Sequence, residues 1–343
     1  MFRVAEEQLP ALFAFLAKTK NVHVPIKKGE QSNYELWSEN AVVDLDSLKT
    51  SMSPKNHFFS HSETLYTSTV SKNQISIEPE TLKEQPFVVF GVKGCDVRGI
   101  DILDNVFLCS PIDKFYEARR KNAVIISMAC NEPQLTCFCK TLNIDAANPE
   151  SDIVTWKIGG FLYFEPRTEK GKLLCSEINE FLELVKEDSI VESRKESIRN
   201  KIEDLPYSNL SLEKFKPEAL NELFNSPKWS ELYQACLACG TCTFICPTCQ
   251  CYDIKDFKTG NEVRKYRCWD SCMYSDFTLM AHGNPRKTQM ERFRQRFMHK
   301  LVYYPANNGG VYSCVGCGRC INKCPVSLNI VKVIKSMEVS ENV

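Results

Sequence analysis

Two copies of one cysteine pattern constrain this chain more than any other feature. Both copies fit C-x2-C-x2-C-x3-C followed by proline, a spacing that is typical of cubane iron–sulfur sites. They comprise Cys236, Cys239, Cys242, Cys246 and Pro247, and Cys314, Cys317, Cys320, Cys324 and Pro325. Two-residue spacers let three cysteines in a tight turn cap one face of a cluster, while the fourth points away beyond the turn. The repeat therefore predicts two 4Fe-4S clusters, each with a fourth ligand from the other copy.

This crosswise sharing assigns eight ligands. The first cluster takes Cys236, Cys239, Cys242 and Cys324, and the second takes Cys314, Cys317, Cys320 and Cys246. Gly240, Gly316 and Gly318 fit the assignment, because residues without Cβ let backbone amides approach the cluster sulfurs. The alternative is a zinc-stabilised scaffold built on the C-x2-C pairs. Zinc needs neither the third spacing nor the proline and would leave cysteines unused, which favours iron–sulfur.

Composition is typical of a globular protein from a reducing compartment. The chain has 343 residues, 43% of them hydrophobic, and its 43 basic residues balance 43 acidic ones. Balanced charge argues against nucleic acid as a partner. The apolar run "LPALFAFLA" is too short to span a membrane, and Glu6 and Glu7 lie where a secretory signal would be basic. We therefore expect a cytoplasmic protein without membrane insertion, whose eighteen cysteines serve as metal ligands rather than disulfides.

Hydrophobic patterning predicts an α/β N-terminal domain over residues 1–184. Buried-strand runs such as "FVVFGV" and "AVIISM" alternate with helical segments, which indicates an open, mostly parallel sheet with helices. The segment "EINEFLELVKE" is predicted to be a further helix. Residues 185–232 are polar, charged and helix-prone, and predict a helical linker. Residues 233–335 predict an α-helical, bacterial-type two-cluster ferredoxin-like domain with an insert at 247–313.

Four cysteines of the N-terminal domain pose a separate question. Cys95 in "GVKGCD" and Cys130, Cys137 and Cys139 in "ACNEPQLTCFC" directly follow two predicted buried strands. Open α/β sheets place their ligands at this carboxyl edge, so the four thiols could converge there. From spacing alone, a third cluster and an ordinary core role are equally open. Asp96 is a candidate substitute ligand or supporting group, and we expect Cys109 and Cys175 to be core residues.

The insert holds further cysteines and a basic segment. Cys249, Cys251, Cys268 and Cys272 could hold a further cluster or a zinc ion, and it is equally open that Cys268 is a small buried residue. Because Cys268 is not part of the family pattern described below, the candidate further site comprises Cys249, Cys251 and Cys272. In "NPRKTQMERFRQRFMHK" the apolar stripe at helical spacing comprises Met290, Phe293, Phe297 and Leu301. Three roles stay open for its basic residues: a solvated face, an offset to the negative charge of thiolate-ligated clusters, or a dock for an acidic partner.

Other catalytic and cofactor motifs are missing from the sequence. It contains no G-x-G-x-x-G fingerprint, no phosphate-binding loop and no H-E-x-x-H, so we expect no flavin or NAD in this chain. His57 and His61 lie in aromatic surroundings that favour packing over metal binding. Clusters carry single electrons, whereas hydride donors need a cofactor that splits electron pairs. The chain is therefore expected to depend on partner subunits.

The quoted motifs, with "VFGVKGCDVRGIDILD" and "WDSCM", resemble one family over most of the chain. It is the family of iron–sulfur electron-transfer subunits that includes the beta subunit of sulfhydrogenase, together with the corresponding iron–sulfur subunit of anaerobic sulfite reductase. The resemblance implies a third cluster on Cys95, Cys130, Cys137 and Cys139. It also implies a cytoplasmic oxidoreductase complex of anaerobic metabolism. This chain would relay electrons between an FAD/NAD(P)-binding reductase subunit and a terminal catalytic subunit. The terminal subunit would be of the hydrogenase, sulfite reductase or heterodisulfide-reductase type.

Two functions from different classes follow. The first is a non-catalytic electron-transfer subunit, which accounts for the two complete motifs and the lack of another redox cofactor motif. The second is a catalytic subunit whose N-terminal cluster itself reduces a sulfur substrate. Reduction of sulfite, polysulfide or a disulfide by the isolated chain would discriminate between them.

Overall fold

Two β-sheets organise the structure, a computed structural model that describes residues 1–46, 49–72, 74–82, 85–186 and 189–338. The strands of these residues are, in chain order, β1 Phe2–Ala5, β2 Asn21–Lys28, β3 Gln31–Leu36, β4 Ser62–Ser71, β5 Gln74–Pro79, β6 Phe87–Val92, β7 Ala123–Met128, β8 Ile153–Ile158, β9 Phe161–Pro166, β10 Glu183–Leu184, β11 Tyr252–Thr259 and β12 Glu262–Trp269. One sheet has the order β10-β1-β9-β8-β7-β6-β2-β3 and the other has the order β11-β12-β4-β5.

Helices connect and cover these sheets. The α-helices are α1 Leu9–Ala17, α2 Gly94–Phe107, α3 Lys114–Asn122, α4 Glu169–Glu177, α5 Ser189–Glu203, α6 Leu220–Asn225, α7 Trp229–Leu232, α8 Thr241–Phe244, α9 Gln289–Met298, α10 Tyr304–Asn307, α11 Arg319–Asn322 and α12 Ile330–Glu338. Short 3-10 turns cover Glu6–Gln8, Pro54–His57, Cys139–Leu142, Asn179–Phe181 and Pro217–Ala219, and His299–Tyr303 is a π-helical turn. Within the described part of the chain, no helix is both long and apolar enough to cross a membrane.

The large sheet is mixed, so the prediction of a mostly parallel sheet is wrong outside its centre. Strands β2, β6, β7 and β8 run parallel to one another, whereas the outer pairings β2–β3, β8–β9, β9–β1 and β1–β10 are antiparallel. Antiparallel neighbours need only a tight hairpin, such as the Gly159–Gly160 turn between β8 and β9. Parallel neighbours need a long crossover, which α2 and α3 provide between β6 and β7.

Strand β6 is buried along its whole length, as its apolar run predicts. Val88 and Phe90 pack towards α1, whereas Val89 packs towards α2, because neighbouring side chains on a strand point to opposite faces. A bulge at Gly91, whose φ is +80°, shifts the register so that Val92 also packs towards α2. The end of β6 is thereby aimed at α2, whose first turn contains Cys95.

The predicted helix "EINEFLELVKE" is wrong for most of its length. Helix α4 ends at Glu177, and the chain then forms a 3-10 turn and the edge strand β10. Tertiary pairing overrides helical propensity here, because Leu184 pairs with Phe2 of β1 and Ile178 is fully buried in the core beneath the sheet. The last residue of the predicted helix, Glu187, lies outside the described residues.

The small sheet joins distant parts of the sequence. Hairpin β11–β12 comes from the insert, and β12 pairs with β4 from the N-terminal segment. The buried Arg267 of β12 holds this junction through ion pairs with Glu63, at 2.5 Å, and with Asp113. The sequence analysis did not predict β4, β11 or β12.

A separate apolar core lies beneath the cysteine motifs. Phe293, Phe297 and Leu301 are buried in it, with Met290 partly buried, which confirms the predicted stripe of α9. Helices α8 and α11 have four residues each, so this segment has less helix than was predicted. The predicted linker contains α5, whose Val191 and Ile198 are fully buried in the same cluster as Trp156 of β8.

Candidate metal centres

Three cysteines of the first motif and the last two of the second line one cavity. They are Cys236, Cys239, Cys242, Cys320 and Cys324. We call the predicted set Cys236, Cys239, Cys242 and Cys324 site one. The apolar walls include Phe293, Phe297 and Leu328. The cavity therefore joins cysteines of both motifs, and the crosswise assignment of the ligands stays a prediction. Cys239 is exposed, so site one lies at the protein surface.

The remaining motif cysteines form a second group, site two, in which Cys317 is buried and the other three are partly buried. It comprises Cys246, Cys314, Cys317 and Cys320. Burial, with smaller contributions from the neighbouring Cys246 and Cys317, raises the pKa of Cys314 to about 11, although Lys300 acts in the opposite direction. Burial also raises the pKa of Cys320 to about 12, with contributions from Cys317, Cys314 and Cys246. Metal ligation requires thiolates, and a bound metal supplies the positive charge that these buried thiols need to deprotonate.

The N-terminal cysteines form a third group, which we call site three. Cys130, Cys137 and Cys139 lie together beside Trp156, at the carboxyl end of β7. Burial raises the pKa of Cys139 to about 12, and Cys130 and Cys137 contribute. Cys95 lies between this group and site two, because it packs with Cys317 and its pKa is raised by burial, by Asp96 and by Cys317. The structure thus brings together the residues that the sequence placed at one sheet edge.

Asp96 belongs to an ion pair rather than to a thiol group. Both of its carboxylate oxygens accept hydrogen bonds from Arg319, at 2.5 and 2.7 Å, and both side chains are buried. Arg319 lies in the second motif, and Asp96 lies beside Cys95. The pair therefore supports sites two and three, and it occupies the oxygens that a metal ligand would need.

Backbone contacts hold sites two and three together. The Phe138 amide donates to the Gly316 carbonyl at 2.8 Å. A Cβ at Gly316, where φ is +60°, would lie 2.5 Å from the Phe138 carbonyl carbon, so only glycine permits this approach. The glycines of the motif thus have a second role that the spacing did not show.

Three cysteines of the insert lie beside site two. Cys249 pairs with Cys246 of site two, and Cys251 pairs with Cys272. A hydrogen bond from Cys249 lowers the pKa of Cys246, and one from Cys272 lowers the pKa of Cys251. Cys251, Cys249 and Cys272 interact with one another, which keeps them a candidate further site. Among the described residues, no group of three or more His, Cys, Asp or Glu side chains has the arrangement that would hold a metal ion. The ligand sets therefore stay predictions.

Three other cysteines lie outside these groups. Cys175 is buried in the core, as expected. Cys109 is exposed, so its predicted core role is wrong; it follows the end of α2, and its thiol donates to the Val106 carbonyl at 3.1 Å. Cys268 is only partly buried, because it lies on β12 beside the surface residues Lys255 and Asp253.

One basic residue of α9, Arg296, and one of the π-helical turn, Lys300, point inward. The sequence left the role of these basic residues open. Arg296 Nη2 donates to the Cys242 carbonyl at 3.0 Å, and Lys300 Nζ donates to Cys246 Sγ at 3.4 Å. Arg292 donates to backbone carbonyls of Met273, Arg286 and Lys287. Of the three roles considered for this segment, these contacts favour charge compensation at the thiols.

His57 packs among aromatic side chains, as expected, whereas His61 is exposed and contacts an aromatic ring. His57 stacks on His23 with ring centroids 4.0 Å apart, and burial lowers its pKa to about 3. The His61 ring lies 5.0 Å from the Trp269 ring.

Comparison with known proteins identifies the domain that contains both motifs and the family of the chain. Residues 235–328 match the family model described as a 4Fe-4S dicluster domain, and this range includes both motifs. The chain is 32% identical to sulfhydrogenase 2 subunit beta of Pyrococcus furiosus over 335 residues, which cover 97% of this chain and 96% of that protein. Both findings confirm the resemblance that the motifs indicated. The chain therefore belongs to the family of sulfhydrogenase beta subunits and contains a 4Fe-4S dicluster domain.

Proposed function

We propose that this chain is the electron-transfer subunit of a cytoplasmic multi-subunit oxidoreductase. One observation carries the proposal: the cavity of site one joins Cys236, Cys239 and Cys242 of one motif with Cys320 and Cys324 of the other. A cavity lined by both motifs supports the ligand exchange that is typical of two-cluster ferredoxins. The bound 4Fe-4S clusters would supply reversible one-electron chemistry.

The protein's own residues give the three sites an order. Site one reaches the surface at Cys239, whereas Cys317 of site two is buried. Cys95 packs against Cys317 and leads to site three. The thiols therefore follow one another from the surface to the edge of the large sheet. This order suits a relay that accepts electrons at one partner and delivers them to another.

The partners we propose are a terminal catalytic subunit together with an FAD/NAD(P)-binding reductase subunit. The proposal is supported by the name of the Pyrococcus relative, which is a subunit of a sulfhydrogenase. It is also supported by the lack of flavin and nicotinamide motifs in this sequence. Hydrogenase, sulfite reductase and heterodisulfide-reductase type enzymes are the candidate terminal subunits.

A second candidate function is reduction of a sulfur substrate at site three. A polar cavity of about 390 Å³ lies beside it, and its charged lining comprises Lys27, Lys49 and Lys323, the acidic Glu30 and Asp44, and Arg319, which is paired with Asp96. Lys49 Nζ lies 3.6 Å from Cys137 Sγ, so this lysine connects the cavity to the thiol group. The three lysines would attract an oxyanion or polysulfide. Reduction of sulfite or polysulfide by the isolated chain, with a chemical reductant, would establish this activity.

The electron-transfer proposal is tested by metal content. Anaerobically purified protein should contain roughly eight or twelve iron atoms per chain and as much acid-labile sulfide, since each cluster has four of each. Cys242→Ser should remove roughly four of each, whereas Cys109→Ser is the matched control, because Cys109 is exposed and lies outside the sites. Zinc in place of iron, or equal loss in both variants, would contradict the proposal.

A further inference from the structure

Four buried cations lie against the cysteine sites. The exposed fraction is 3% for Lys300, Arg296 and Lys55 and 8% for Lys93. Lys300 and Arg296 contact site two and site one through Cys246 and Cys242. Lys55 Nζ donates to the Cys249 carbonyl at 2.9 Å and lies 3.7 Å from the Trp269 ring centroid. Lys93 lies beside Cys130 and Cys95 of site three.

These cations differ from the other buried cations in their partners. Arg319 pairs with Asp96, Arg267 pairs with Glu63 and Asp113, and Lys195 pairs with Glu192. Among the ion pairs of the described residues, none joins a carboxylate to Lys300, Arg296, Lys55 or Lys93. A buried charge without a counter-charge is strongly destabilising. The acidic groups that lie near Lys300, Arg296 and Lys55 are thiols, so thiolates, or what they bind, balance these three charges. Lys93 also lies near Asp44 and Asp46.

Lys300 has the most constrained position of the four. Its ammonium donates to Thr248 Oγ1 at 2.8 Å and to the Ser313 carbonyl at 2.9 Å, besides its contact with Cys246 Sγ. Thr248 donates in turn to Ser313 at 2.8 Å. The ammonium thus lies between the residues that follow the first motif and those that precede the second. All three of its hydrogens have acceptors.

The backbone around Lys300 is also unusual. Residues His299–Tyr303 form a π-helical turn directly after α9. Single π-turns within helices are frequent at functional sites. Lys300 is buried within this turn. Its neighbour Leu301 continues the apolar stripe of α9 into the core.

We propose that Lys300 is the built-in counter-charge of site two and sets its reduction potential. The inference rests on the proposed function, since it requires a cluster held by Cys246, Cys314, Cys317 and Cys320. Reduction adds one negative charge, and a fixed ammonium beside a ligand sulfur stabilises the reduced form more than the oxidised form. A neutral side chain at this position should therefore lower the potential. Lys300 acts through the ligand Cys246, so it is a positioning residue.

The test is a redox titration of the full chain, followed by electron paramagnetic resonance. Lys300→Met should lower the ratio of reduced to oxidised cluster about tenfold at fixed ambient potential in one step of the titration. This corresponds to a reduction potential that is lower by about 59 mV for a one-electron step. Lys300→Arg keeps the charge and should stay within about twofold of wild type. Lys170→Met is the matched control, because the ammonium of Lys170 also donates to backbone carbonyls, those of Arg120, Lys121 and Ala123, and lies outside the cysteine sites.

The outcomes separate the inference from the function on which it rests. Wild-type protein without iron and sulfide would refute the proposed function itself. A loaded Lys300→Met protein with an unchanged potential would refute the counter-charge role alone. If Lys300→Met does not load iron, the reduction potential is measured on Lys300→Gln instead, with the same expected result. Loss of iron from both neutral variants but not from Lys300→Arg supports a charge requirement, whereas loss from all three indicates packing and overturns the proposal.

Discussion

The two cysteine motifs share one spacing and one backbone path, yet they lie in different surroundings. Gly240 and Gly318 have φ values of +72° and +71°, and each directly precedes a four-residue helix. The first motif is open, with Cys239 exposed and Leu237 64% exposed. The second motif is covered by the N-terminal segment that contains Thr136 and Phe138. The two motifs thus share a spacing, whereas the residues between the cysteines determine which motif faces solvent and which faces the large sheet.

The largest expected difference between the motifs concerns Arg319. Arg319→Met leaves the buried Asp96 without its partner, and breaking such a pair costs about 3–5 kcal/mol in free energy of unfolding. The equivalent residue of the first motif is Thr241, whose hydroxyl contacts Cys239 Sγ at 3.4 Å near the surface. Thr241→Ala should cost less than about 1 kcal/mol. Anaerobic urea unfolding of both variants measures this difference.

A double variant controls for the loss of packing. Asp96→Asn together with Arg319→Met removes both charges, so it should recover part of the stability that Arg319→Met loses. If Arg319→Met and Thr241→Ala lose the same free energy of unfolding, the covering of the second motif contributes nothing to stability.

The two glycines give the next largest difference. Alanine at either position suffers the strain of positive φ, which costs about 1–2 kcal/mol. At Gly318 the new Cβ would also lie 2.4 Å from the Thr136 carbonyl oxygen, whereas at Gly240 it would meet the hydroxyl of Tyr274 at 2.6 Å. The Thr136 carbonyl is part of the backbone, so it moves aside less readily than the Tyr274 hydroxyl at the end of a side chain. We expect Gly318→Ala to cost about 3 kcal/mol and Gly240→Ala about half as much.

Melting temperatures of the two alanine variants, measured anaerobically at equal iron content, check this order. A lower melting temperature for Gly240→Ala than for Gly318→Ala would reverse it. The comparison would then indicate that Tyr274 is held more rigidly than Thr136.

The sequence predicted the parts of the structure that depend on local pattern. The spacing around Cys236 and Cys314 predicted the 4Fe-4S dicluster domain, and the buried run of β6 predicted that Cys95 follows a strand of the large sheet. Non-local pairings were not predictable: β10 forms because Leu184 pairs with Phe2, and β12 pairs with β4 across nearly two hundred residues of sequence. For the same reason Lys55 and Lys93 were missed, since nothing near either residue in sequence signals a buried cation beside a cysteine.

The smallest expected effect is kinetic and uses the intact, loaded protein. Because Cys239 is exposed and Cys317 is buried, mild oxidation with a chelator and iodoacetamide should release the iron of site one first. Mass spectrometry should then find Cys239 alkylated before Cys317, while roughly four iron atoms leave in the first phase. Cys175, which is buried outside the sites, should stay unlabelled throughout and reports on global unfolding. Simultaneous labelling of Cys239 and Cys317, with Cys175 still protected, would mean that the N-terminal covering does not shield the second motif.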